Sequence, residues 1–522
     1  MTESNISSGQ QSYAGGGAAG ASTAVASGST HTGLLIVLTI IAALGGLLFG
    51  YDTAVISGAT DSIKENFVVP LNLPESAALS LGGWTISCAL FGCFIGGGLG
   101  GVVAGWLGRR GGLIVAGALF FMSSLGSAFP ETAIGIIGSL LTPLINLFVF
   151  FFNMFGAELP HYTFGAVLTN FTGHRIFGGI GIGLASMLAP MYIAEIAPPS
   201  KRGALVTYQQ IAIVSGISLV YFVNWGIASL GDTTFLHAKG WRYMLASCAI
   251  PAGLFVLLLL FVPETPRGLM LKGKNEKARE VLSKLASESE AKIVLAEIDA
   301  SLHETTGKLF SYGALVVIVG ILLSAFQQLV GINAVLYYGP QMFKNMGFEG
   351  NASLVQTVIM GIVMVVFTLV ATGTVDKWGR KPLLILGALI MAVSMIALGI
   401  LFYVGSVGLA ALVVVCIYIA GFSLSWGPVV WVLLAEIFPN AIRNQAMAIA
   451  VAAQWIMNLI VSWTFNILDG NSYLTATFHH GFAYWLYGGF SVLAALFVWK
   501  FVPETKGVTL ESMQKVWKQT AA

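Results

Sequence analysis

The segment F-Q-Q-L-V-G-I-N-A-V-L-Y-Y, Phe326 to Tyr338, sets three uncharged amides inside an otherwise apolar stretch. Gln327, Gln328 and Asn333 each offer donors and acceptors without carrying charge. Gly331 interrupts the helix between them, and Tyr337 and Tyr338 follow. Carboxamides suit a neutral ligand with vicinal hydroxyls, and an aromatic ring covers the C–H face of a sugar. Amides in membrane helices also hold neighbouring helices together. Three in one short segment, beside a glycine break and two tyrosines, favour a binding site.

Other residues extend the pattern. Gln210 lies in T-Y-Q-Q-I-A-I, Phe422 and Trp431 in G-F-S-L-S-W-G-P-V-V-W, and Gln454 with Trp455 in A-A-Q-W. Phe49, in L-F-G-Y-D, adds a ring from the start of the chain. Gly427 and Pro428 break their apolar segment, which permits bending. Singly, each ring fits a lipid-facing or core position as well; together they line a cavity.

A second chemistry is ionic. Asp52 lies in the first apolar segment, where a carboxylate costs roughly 2.5–3.5 kcal/mol on insertion scales. Arg175, in H-R-I-F-G-G-I-G, is the basic residue placed to pair with it. A buried carboxylate separated from its guanidinium takes up a proton, so the pair is a candidate proton switch. A static pair holding two helices is the alternative.

A third set is Arg109, Glu195 and Arg202 early in the chain, and Arg380, Glu436 and Arg443 later. Their repeated placement at helix ends suggests a salt-bridge lock between two halves. The alternative is topology signalling plus surface pairs of little energetic weight.

The elements that must position these residues follow from composition. Of 522 residues, 56% are hydrophobic and 9% charged, with mean hydropathy +0.84. Soluble domains carry about 25% charged residues, so this is a polytopic, all-α membrane protein. A net charge of +2 gives no reason to expect nucleic acid. Cys88, Cys93, Cys248 and Cys416 all lie in apolar segments, without a disulfide or metal pattern. No nucleophile, metal or cofactor constellation stands out, so neither an enzyme nor a cofactor is expected; a proton is the expected coupling ion. G-G-I-G-I-G at 178–183 has no preceding strand and reads as close helix packing.

Residues 1–32 are rich in Gly, Ala, Ser and Thr and read as a disordered tail without a basic signal-peptide start. Twelve apolar segments long enough to span follow, from 34–57 to 482–502. They divide into six-helix halves, 33–266 and 309–504. A charged amphipathic linker, 267–308, separates them, and a short tail, 505–522, closes the chain. With both termini cytoplasmic, only Lys64, Arg175, Lys239, Arg242 and Lys344 of the 25 Lys and Arg fall off the cytoplasmic side. The halves repeat: G-R-R at 108–110 is answered by G-R-K at 379–381, A-E-I at 194–196 by 435–437, and V-P-E-T at 262–265 by 502–505. The first offset exceeds the others, which places extra chain between Arg110 and Glu195. Residues 133–157 would score as a thirteenth span, but a single extra crossing would invert every later basic loop. An external insertion over about 131–165 is expected, either interfacial or a re-entrant hairpin turning at Pro143.

F-G-Y-D, G-R-R, P-M-Y-I-A-E-I-A-P, V-P-E-T-P-R, Q-Q-L-V-G-I-N, D-K-W-G-R-K and W-G-P-V-V-W-V-L-L-A-E-I-F-P, in this order, resemble the sugar-porter family of the major facilitator superfamily. The chain is similar to that family's bacterial D-xylose–proton symporters and glucose facilitators. The resemblance implies twelve membrane helices in two pseudo-symmetric halves with an intracellular helical linker. It also implies a monosaccharide site between the halves and alternating access. It carries sugar contacts onto Gln210, Gln327, Gln328, Asn333, Trp431 and Gln454, and the proton site onto Asp52 with Arg175. Some positions depart from the pattern. Met364 replaces an amide, and Ile217 and Cys248 replace a Gln and a Glu of xylose symporters. Gly105 and Trp106 replace a charged pair before G-R-R. The expected function is proton-coupled symport of D-xylose or D-glucose by a monomer in the cell inner membrane. Passive uniport, or a sensor that binds sugar without carrying it, are the alternatives.

Overall fold

Membrane-depth backbone must satisfy its own hydrogen bonds, and the chain does so with helices. The computed structural model describes residues 32–197, 202–285, 288–302, 308–348, 350–439, 442–506 and 517, and no strand occurs among them. The 1–31 tail and most of 505–522 lie outside the described residues.

The first half contains α1 (Thr32–Phe67), α2 (Glu75–Trp106), α3 (Gly108–Ala128), α4 (Ala133–Ile136), α5 (Thr142–Asn153), α6 (Val167–Ile196), α7 (Arg202–Ala228), α8 (Thr233–Phe235), α9 (Trp241–Ser247) and α10 (Ala249–Leu259). The linker is α11 (Pro266–Leu271), α12 (Asn275–Leu285) and α13 (Glu288–Leu302). The second half contains α14 (Ala314–Leu329), α15 (Ile332–Tyr337), α16 (Gly339–Asn345), α17 (Asn351–Trp378), α18 (Arg380–Val404), α19 (Leu409–Leu424), α20 (Trp426–Ile437), α21 (Arg443–Gly470), α22 (Ser472–Phe478) and α23 (Gly481–Phe501). Several spans are built from consecutive pieces, and among the described residues seven segments long and apolar enough to cross precede the linker and six follow it.

Small residues bring the helices close. A Cβ on Gly179 of α6 would lie 1.8 Å from the Ala89 carbonyl oxygen of α2, so the glycine-rich stretch serves close packing. One end of the bundle carries the linker helices; we call it the linker end and the opposite one the far end. Hydrogen bonds between the halves gather at the far end. Lys64 Nζ donates to Gln341 (2.8 Å), Lys344 pairs with Asp61 (2.5 Å), and Trp463 Nε1 donates to the Ser80 carbonyl (2.8 Å).

Ala133–Asn153 is long and apolar enough to be a thirteenth span, and it packs against helices of both halves. Phe148 stacks on Trp84 of α2 (centroids 4.5 Å apart), and Phe152 faces Trp463 of α21 (5.1 Å). The expected turn at Pro143 is not there. Pro143 sits in the first turn of α5, where its missing N–H has no helical partner. The chain instead reverses after Asn153. Asn153 and Leu159 exchange two 2.8 Å hydrogen bonds, and Asn146 and Tyr162 do the same at 2.8 and 2.9 Å.

Candidate functional site

Between the halves lies a cavity of about 100 Å³. Phe49 and Thr53 of α1 line it, with Gln210 and Ile217 of α7, Gln327 and Gln328 of α14, and Asn333 and Tyr337 beyond the break. Met364, Phe422, Trp431, Gln454, Trp455 and Asn458 complete the wall. Gly331 makes the break: its φ of +91° ends α14 and restarts the chain as α15. Carbonyls near the break find partners on other helices. The Tyr418 hydroxyl donates to the Val330 oxygen (2.8 Å), and the Tyr221 hydroxyl to that of Leu336 (3.0 Å).

The amides form one chain. Asn333 Nδ2 donates to Gln328 Oε1 (2.5 Å), Gln328 Nε2 to Gln327 Oε1 (3.4 Å), and Gln454 Nε2 to the same oxygen (2.6 Å). Gln327 Nε2 donates onward to the Trp426 carbonyl (2.8 Å). Gln454 Oε1 is buried without a partner among the described residues, an acceptor open to a ligand hydroxyl. Phe49 and Trp455 meet across the halves with ring centroids 5.6 Å apart. The wall therefore offers neutral hydrogen-bonding groups and aromatic faces, the chemistry of polyhydroxyl recognition.

Phe49, Gln210, Gln327, Gln328, Asn333, Phe422, Trp431 and Gln454 thus meet around one space. Tyr338 does not line it: its buried hydroxyl donates to the Ser462 carbonyl (3.0 Å) and its ring packs on Phe465. The break at Gly331 turns Tyr337 to the cavity instead. Asn458 was missed; it lies one turn after Gln454 on the same helix face, a spacing the sequence carries.

Asp52 and Arg175 are paired. Arg175 Nη1 lies 3.1 Å from Asp52 Oδ1, and both residues are buried. Thr53 and Ala54 line the cavity and Asp52 does not, so the pair stands behind α1 from it. Asp52 Oδ2 and Arg175 Nε have no hydrogen-bond partner among the described residues.

At the linker end the expected lock between halves is corrected. Arg109 grips Glu195 within the first half (2.8 Å), and Arg380 grips Glu436 within the second (2.8 Å). Thr265 and Thr505 donate to those same glutamates (2.6 and 2.5 Å). Each arginine starts a helix whose neighbour in its own half presents the glutamate, so the short path runs within a half. Arg443 reaches the Phe438 carbonyl of its own half (3.4 Å), and the Arg202 side chain lies outside the described residues. Burial pushes the Glu504 carboxyl up. Backbone N–H groups of Lys506, Arg380, Lys381 and Thr505 outweigh this and hold it below the ordinary carboxylate value. At the far end, hydrogen bonding to Asp469 (2.9 Å) raises His480 above the ordinary imidazole value, although burial opposes it.

Residues 38–517 match the family model described as sugar (and other) transporter. The chain is 51% identical over 491 residues to the D-xylose-proton symporter of Escherichia coli, covering 94% of this chain and 96% of that one. It is 41% identical to the glucose facilitated diffusion protein of Zymomonas mobilis, covering 94% and 99%. The inward-open structure of the Escherichia coli xylose transporter superposes with a TM-score of 0.79 at 49% identity, covering 92% of this chain and all of that one. The proton:xylose symporter bound to 6-bromo-6-deoxy-D-glucose gives 0.76 at 51% identity, covering 93% and 99%.

Proposed function

We propose that this chain, which belongs to the sugar transporter family, carries D-xylose or D-glucose across a membrane together with a proton, by alternating access. The observation that carries the reading is the cavity between the halves walled by uncharged amides and aromatic rings, with a buried carboxylate–guanidinium pair behind α1. Gln210, Gln327, Gln328, Asn333 and Gln454 would take the sugar hydroxyls, and Phe49, Phe422 and Trp431 its C–H faces. Asp52 would take the proton when it parts from Arg175. The partly buried, ion-paired arginine and glutamate clusters would keep the linker end of each half rigid while the halves rock. The carrier would act as a monomer in the cell inner membrane with both termini cytoplasmic, as the basic linker end argues, which makes the far end external.

Two cavity residues favour a second reading, passive facilitation. Ile217 and Met364 make the wall more apolar than an amide-rich symporter needs. Proteoliposomes containing only this carrier separate the two. External alkalinisation on adding xylose or glucose establishes symport and names the sugar. Sugar influx with no proton movement establishes the facilitator, and binding without flux leaves only a sensor.

A further inference from the structure

We propose that His174, with Ser123, passes protons between the far end of the bundle and Asp52. α3 and α6 face each other along a seam. A Cβ on Gly126 would lie 2.3 Å from His174 Nδ1. A Cβ on Gly178 would lie 2.4 Å from Ser123 Oγ and 3.3 Å from Asp52 Oδ2. His174 and Gly178 are one turn apart on α6, and Ser123 and Ser127 one turn apart on α3. The imidazole therefore stands one turn nearer the far end, and the serine oxygen and the carboxylate both approach Gly178.

Four buried polar atoms in this seam have no hydrogen-bond partner among the described residues: His174 Nδ1, Ser123 Oγ, Ser127 Oγ and Asp52 Oδ2. Unpaired polar atoms at membrane depth are costly, and these hold no helices together. They are the groups a proton path requires, an imidazole that exchanges protons and hydroxyls that accept one while donating another. His174 Nε2 is engaged, 2.8 Å from the Ile134 carbonyl of α4, so it donates there and Nδ1 is the accepting atom. Glu131 and Thr132, just before α4, are exposed. The imidazole is thus one short helix from the far-end surface.

The transfer balances. Nδ1 binds a proton from far-end water; when the three groups close to hydrogen-bond distance, the imidazolium gives it to the Ser123 oxygen as the serine's own hydrogen passes to Asp52 Oδ2. Imidazole and hydroxyl return neutral, and the carboxylate becomes the acid. Other ionisable groups around the seam are Arg175 on α6, Cys88 and Cys93 on α2, Cys248 between α9 and α10, and Tyr162 on the return leg. Glu131 is taken by Arg242 (2.7 Å). The only ionisable side chains of α3, Arg109 and Arg110, lie at the linker end, and residues 133–153 contain none.

The proposal rests on the proton-coupled reading, so the unmodified carrier is measured first, in proteoliposomes with xylose, for sugar-driven pH change and for sugar counterflow. Counterflow marks folded protein. His174→Gln keeps a donor for Ile134 but cannot titrate. It is expected to slow coupled proton movement on the order of tenfold and to flatten its profile between about pH 5 and 8. Ser123→Ala is expected to slow it less and to keep that profile. A coupled rate and pH profile in His174→Gln equal to the unmodified carrier's would overturn the path. Should His174→Gln lose counterflow, Ser123→Ala decides, and an unchanged coupled rate there overturns it equally. Proton-free sugar flux in the unmodified carrier is a separate result, which removes the proton-coupled reading and the path with it.

Discussion

At the linker end the two halves repeat each other almost bond for bond. Arg109, Glu195 and Thr265 in one half match Arg380, Glu436 and Thr505 in the other. Glu264 accepts the Arg109 and Thr265 N–H groups (both 2.9 Å), as Glu504 accepts those of Arg380 (3.0 Å) and Thr505 (2.9 Å). At mid-depth the repeat is gone. The first half sets the Asp52–Arg175 pair there, whereas the second sets the linked amides of Gln327, Gln328, Asn333 and Gln454. Both halves need rigid ends to move as bodies, so both keep the cluster. The middle has specialised: a charge that can be neutralised on one side, and neutral groups that exchange hydrogen bonds with a ligand on the other.

The largest expected break in this division is Asp52→Asn. Uphill accumulation should disappear while sugar counterflow persists; accumulation retained by the variant would show that the proton is carried elsewhere. Gln328→Ala should weaken sugar binding by about 1–3 kcal/mol, because Asn333 and the ligand lose a buried partner. Isothermal titration reads this, and unchanged affinity would remove Gln328 from the site. Met364→Asn should tighten binding by about 0.5–1.5 kcal/mol if the extra amide reaches a ligand hydroxyl; the same titration detects it. At the far end, the raised His480 pKa means that its stabilisation of Asp469 is complete below the ordinary imidazole value and is lost as pH rises through the higher folded value. Far-end labelling of an introduced cysteine should therefore rise with pH above about 6.5, and His480→Gln should remove that dependence.

The smallest effect tests a difference between the two clusters. Arg380 also pairs with Asp376 (3.0 Å), while the matching position before Arg109 is Gly105. Asp376 is 79% exposed, so Asp376→Gly should cost about 0–1 kcal/mol in thermal melts. A larger loss would mean that the halves are less alike than their shared bonds imply.

Much of the site was legible because residue type and a break travel together in the chain. Three amides around Gly331 announce a discontinuous helix with a ligand side. Tyr338 was misread because the break changes the helical phase: Gly331 at +91° rotates Tyr337 onto the cavity, and no linear spacing carries that rotation. The arginine and glutamate repeat was visible, but partners related by sequence symmetry are equally consistent with pairing within and between halves. Residues 133–153 show the same limit for hydropathy, which registers apolar length without distinguishing a crossing from packing against Trp84 and Trp463.

Composition, periodicity and repeated motifs by themselves determined a twelve-helix, two-half membrane carrier with a neutral polar site and a carboxylate at membrane depth. Those features follow from local chemistry, because an apolar span must be helical and an amide among apolar residues must find a partner. Tertiary structure alone decided that each arginine cluster closes on its own half, that Asp52 faces away from the cavity, and that Ser123 and the free oxygen of Asp52 both approach Gly178. These depend on distances of a few ångströms between helices remote in sequence, which packing sets and residue order does not encode locally.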